Sequence, residues 1–144
     1  MTKALRIGLL ALALAACQGS QEPPPIVGAW VVTMPGAPFP MHMFAFHADG
    51  TVQQSNPDAG DTHASDSNLI GAWTRDGQAY RGRLVEVTAD RSTGRYAGRV
   101  EISFTATVTG DALEGHATAS FVDAAGKRSG TPLEVRMTGE RVLP

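Results

Sequence analysis

From Ile26 onward the chain alternates. Short runs rich in Val, Ile, Phe, Thr and Met are cut by Gly, Pro, Asn and Asp, and hardly any window repeats its apolar residues every 3.6 positions. That pattern predicts strands joined by turns, not helices. The clearest run is Gly94 to Thr109, where Val100, Ile102, Phe104, Ala106 and Val108 fall on one face and Arg99, Glu101, Ser103, Thr105 and Thr107 on the other. Such a strand covers a core with one side and meets water with the other. In Thr131 to Val142, Leu133, Val135, Met137, Gly139 and Arg141 share the inward face in the same way. Asp49-Gly50 is a hairpin signal between Met41–Ala48 and Thr51–Ser55. Ile26–Met34, Leu69–Arg75, Gln78–Thr88 and Leu113–Val122 complete the set, with Asn56 to Asn68 expected as a long polar loop. About eight antiparallel strands in so short a stretch predict an all-β fold. An up-and-down barrel leaves no open edge, and a β-sandwich is the alternative.

The first residues stand apart from this pattern. Lys3 and Arg6 precede an apolar run, Ile7 to Ala16, that is too short to span a membrane of roughly 30 Å as a helix and reads as a signal peptide. The run ends in Leu14-Ala15-Ala16-Cys17. This resembles the lipobox of bacterial lipoproteins, which implies cleavage before Cys17, acylation of Cys17, and a protein held on a membrane by its lipid. The resemblance favours the outer membrane where two membranes exist, because Gln18 stands where an inner-membrane retention signal places Asp. Residues 17 to 25 then form a tether whose Pro23-Pro24-Pro25 favours extended polyproline geometry. The barrel domain is expected from residue 26 to residue 144.

Charge and cysteine content narrow the function classes. With 42% hydrophobic and 18% charged residues the composition is that of one globular domain. Cleavage before Cys17 removes Lys3 and Arg6 and takes the formal charge from −2 to −4, so nucleic acid is not an expected partner. Cys17 is the one cysteine, and an intramolecular disulfide is excluded.

Gly28-Ala29-Trp30 in the first strand, with Arg141 on the inward face of the last, resembles the calycin superfamily of lipocalins, fatty-acid-binding proteins and avidins. In those families the first-strand tryptophan packs under the barrel and a basic residue of the last strand lies across its ring. The resemblance implies structural roles for Gly28, Trp30 and Arg141. The triplet recurs once, as Gly71-Ala72-Trp73, with the tryptophan again on an apolar parity.

A barrel of eight strands either fills with side chains or holds one small ligand. Gly98, Ala106, Gly115, Ala117 and Ala119 are small residues on inward faces. They predict an apolar hole lined by Phe44, Phe46, Val100, Ile102, Phe104, Ala117, Ala119, Phe121 and Met137, suited to an apolar small molecule or lipid. The alternative is a packed barrel that binds an envelope protein, as an inhibitor or in assembly. A third reading is a cyclase or isomerase with His42 and Tyr80 as its acid-base pair. His47, His63 and His116 read as surface histidines. Asp58, Asp61 and Asp66 make the Asn56 to Asn68 loop acidic, but not at EF-hand spacing, and a lid over the barrel mouth is a further use for it. The chain has no nucleophile motif, zinc motif or phosphate-cradling loop, and no cofactor or metal is expected.

Overall fold

The computed structural model describes residues 22–59 and 61–144; the lipobox and Cys17 lie outside the described residues. Among the described residues nine strands follow one another: β1 (Gly28–Thr33), β2 (Met41–Phe46), β3 (Thr51–Ser55), β4 (Ala64–Asp66), β5 (Leu69–Asp76), β6 (Ala79–Asp90), β7 (Tyr96–Thr109), β8 (Ala112–Asp123) and β9 (Arg128–Arg141). Every pairing is antiparallel. Eight of the strands close a ring in the order β1-β2-β3-β5-β6-β7-β8-β9, with β9 returning to β1 and β6 joined to β7. The fold is therefore a closed up-and-down barrel, consistent with the calycin-like barrel that the resemblance implies, and not a sandwich.

Turn chemistry places the ends. At the β2–β3 hairpin Asp49 Oδ1 accepts from the Thr51 amide (2.9 Å) and hydroxyl (2.7 Å), and Gly50 takes φ 87°, which an L side chain rarely adopts. This hairpin, the β5–β6 and β7–β8 turns, and the outer ends of β1 and β9 lie together at one end of the barrel.

That end is closed. Ile26 does not begin a strand, contrary to the sequence pattern. The chain turns at Pro24 to Val27, with the Val27 amide bonded to the Pro24 carbonyl, and Ile26 plugs the barrel with no exposed surface. Trp30 is also fully buried, and its indole N–H donates to the Ile26 carbonyl at 2.8 Å. Arg141 lies directly opposite Trp30 across the β1–β9 ladder, its guanidinium carbon 4.3 Å from the ring centroid. The same guanidinium donates to Val27 O (2.9 Å), Pro25 O (2.5 Å) and Asp111 Oδ1 (2.9 Å). On the opposite wall Trp73 donates to His47 O and Thr51 O, both at 3.1 Å, so the two Gly-Ala-Trp triplets brace the same end.

Above this floor Phe44, Phe46, Trp73, Tyr80 and Phe104 form a chain of stacked and edge-on rings with centroids 5.6 to 6.3 Å apart, within the range that favours aromatic pairs.

The walls differ in length. β6 to β9 run 12 to 14 residues, whereas β1, β2 and β3 run 5 or 6. The long wall stands above the short one at the end away from Trp30.

The Asn56 to Asn68 segment, expected to be all loop, contains β4, which pairs Ala64 with Asp90 and Asp66 with Thr88 along the edge of β6 that β5 also uses. Arg91 holds this segment. Its Nε donates to Ala64 O (2.6 Å) and Asp61 O (3.1 Å), and its Nη2 pairs with Asp58 at 2.7 Å.

Candidate functional site

The inward faces divide the barrel into a packed lower part and an open upper part. Of the residues expected to line a hole, Phe44, Phe46, Phe104, Ala117 and Met137 are all less than 5% exposed and belong to one continuous core. Val100, Ile102, Ala119 and Phe121 lie higher on the long wall and are half-buried, with Leu133, 40% exposed, beside Ala119. The register pairs Val100 with Phe121 and Ile102 with Ala119, which makes one apolar surface on the inside of the mouth.

Polar residues occupy the neighbouring strand, β6, and the short wall opposite. Tyr80 and Leu84 fix the inward parity of β6, so Glu86 and Thr88 continue it upward. Thr88 is 6% exposed and sits opposite Asp66 of β4 and Gly98 of β7. On the short wall Gln54, 2% exposed, donates from Nε2 to His42 Nδ1 at 2.9 Å and to Asn56 Oδ1 at 2.7 Å. Accepting at Nδ1 leaves the proton of a neutral His42 on Nε2.

Two buried side-chain atoms lack a well-formed hydrogen bond among the described residues: Thr88 Oγ1, and His42 Nε2, whose ring has the Phe39 backbone beside it. Buried polar groups are nearly always hydrogen-bonded, and each that is not costs about 1–3 kcal/mol. Both sit at the mouth, while the Trp30, Trp73 and Arg141 donors at the floor are all bonded.

Electrostatics mark the same place. Burial, and then the charge of Asp66, push the Glu86 carboxyl up to about 7, so near neutrality it is close to half ionised. Burial also holds His42 below the ordinary histidine value, which keeps it neutral. A carboxyl raised to about 7 by burial and a neighbouring acid makes Glu86 a candidate functional group.

His42 and Tyr80 are not neighbours. His42 is at the mouth, whereas Tyr80 is buried near the floor with its ring 5.6 Å from Trp73. Asp61 Oδ1 accepts from the amides of His63 and Ala64, and Asp58 accepts from Ser65 Oγ and pairs with Arg91, so these carboxylates stitch the β4 segment together.

A concavity of about 610 Å³ lies on the outer wall around Arg81, Arg83, Ser103, Thr105 and His116. Packing explains it. A Cβ at Gly82 would fall 2.3 Å from the Phe104 ring, so the bare backbone of β6 settles onto that ring and the wall dips.

Gln54, Glu86 and Thr88 are the site residues that sequence reasoning passed over. The available signal was parity: Glu86 and Thr88 continue the inward series of Tyr80, Gly82 and Leu84 with polar side chains. No protein-family model matches the sequence, and comparisons with curated proteins and with solved structures return no match.

Proposed function

We propose that this is a lipid-anchored envelope protein whose barrel binds one small amphipathic molecule in its open mouth, without catalysis. The observation that carries the reading is the unpartnered buried Thr88 Oγ1 beside the apolar surface of Val100, Ile102, Ala119 and Phe121, with a second unpartnered atom, His42 Nε2, on the opposite wall. An apolar body laid on that surface would bring a polar head to Thr88 Oγ1 and supply its missing hydrogen bond. The lower barrel is filled, so the ligand is confined to the upper part. The anchor rests on Leu14-Ala15-Ala16-Cys17. Arg141 holds the Pro25 and Val27 carbonyls at the closed end, the side of the barrel on which the chain enters the domain.

The test compares two alanines one inward step apart. Ala119→Phe fills the mouth. It should abolish the fluorescence of bound N-phenyl-1-naphthylamine, a neutral hydrophobic probe, with little change in a denaturant titration. Ala117→Phe enters the packed core and should destabilise by roughly 1–3 kcal/mol. Wild type that never brightens the probe would refute the reading.

A second reading, a barrel that docks on an envelope protein, draws on the outer surface. No outward position of β1, β2 or β3 carries an ionisable side chain. Val31, Met41 and Met43 are 38 to 50% exposed there. By contrast Glu101 on β7 pairs with Arg83, Arg99 and Arg128 on the charged outer wall. Charge substitution at Met43 would leave probe binding intact and disrupt only such docking.

A further inference from the structure

The charges around the mouth restrict the head of the ligand; the inference rests on the mouth being the ligand site. Among the described residues no Lys or Arg occupies an inward strand position in the upper barrel. Arg91, the nearest cation on the β4 side, is engaged by Asp58 and by the Asp61 and Ala64 carbonyls. Arg128, on β9, turns outward to Glu101. Two carboxyls remain available, Glu86 on β6 and Asp66 on β4, opposite Thr88 on the same face; Asp90 and Asp123, which share the inward parity, are engaged by the amides and hydroxyls of their own turns. The other groups facing Glu86 add no positive charge, since His42 on β2 is neutral and β7 presents Val100 and Ile102.

We propose that the mouth recognises a protonated amine at the head of an apolar ligand, with the Glu86 and Asp66 carboxylates as counter-ions and the Thr88 hydroxyl accepting one N–H. A compact ammonium donates three hydrogen bonds and accepts none. Three acceptors stand ready, and one of them, Thr88 Oγ1, has no other partner. A fatty acid would instead bring a third carboxylate to two that already repel each other, and like charges at short range in a partly desolvated site oppose binding. The amine would also bind more tightly as pH rises, because it stays protonated to about pH 10 while Glu86 ionises around pH 7.

Calorimetric titration of the full chain carrying Cys17→Ser, so that no acyl group competes, with octylamine, octanol and octanoate tests this. Octylamine should bind best, and its affinity should rise about tenfold from pH 6 to pH 8, the change expected if only the ionised carboxylate is competent. Glu86→Gln should remove that rise and weaken octylamine while leaving octanol unchanged. The amine proposal falls if octanoate binds as tightly as octylamine, or if Glu86→Gln leaves octylamine untouched; octanol binding would then still stand for the mouth as a site. If none of the three binds, the mouth reading falls with it.

Discussion

The two ends of this barrel both enclose polar groups and use them in opposite ways. At the floor Trp30, Trp73 and Arg141 are anchored by hydrogen bonds to Ile26, His47, Thr51, Val27, Pro25 and Asp111, and the indole of Trp30 is capped by the guanidinium. At the mouth Gln54 is bonded, but His42 and Thr88 each keep a buried atom without a partner and Glu86 sits beside another acid. A satisfied buried network stabilises a fold, whereas an unsatisfied one lowers stability and is retained where something else completes it. The floor is where this chain secures its structure, and the mouth is where it gives some stability up.

The contrast can be broken at the floor first. Trp30→Ala should lower stability by about 3–5 kcal/mol, as truncation of a fully buried aromatic does. A double-mutant cycle with Arg141→Ala should add a coupling of about 1–2 kcal/mol for the partly buried cation-π contact. Additive losses in denaturant titrations would show that the guanidinium serves only its carbonyl partners.

At the mouth the sign of pH dependence is the sharper probe. Glu86 holds its proton more tightly folded than unfolded, so the folded state binds more protons between the ordinary 4.5 and about 7. Stability should therefore fall as pH rises through that window. Glu86 is partly exposed and screened, so about 1–2 kcal/mol is expected from the difference between wild type and Glu86→Gln measured from pH 5 to pH 8. Thr88→Val, the smallest effect, keeps the shape and removes an unpartnered hydroxyl. It should leave stability unchanged or raise it by less than about 1 kcal/mol. A loss above 1 kcal/mol would mean that the hydroxyl has a partner in solution.

Alternation made the barrel legible from the sequence. Val100 to Val108 and Leu133 to Arg141 state their faces residue by residue, and Asp49-Gly50 states its turn, because a half-buried strand and a tight hairpin are local patterns. The pairing of Trp30 with Arg141 was reached by resemblance. β4 was not legible, since Ala64-Ser65-Asp66 has no apolar parity and is held by Arg91, whose partners are remote in sequence. The mouth was only half legible. Its apolar members stand out on their strands, but the burial of Glu86 depends on β4 and β7 closing around it, a property of the assembled ring.

Arg141 also bears on the order in which the molecule is made. Its bonds to Val27 and Pro25 span 114 and 116 positions of chain. β1, among the first strands synthesised, therefore has one edge without a partner until the last strand arrives. Closure of this kind is slow, because the entropy of a long loop must be overcome before the contacts reward it. The ring cannot shut on a fragment, and the clamp engages only once β9 is in place.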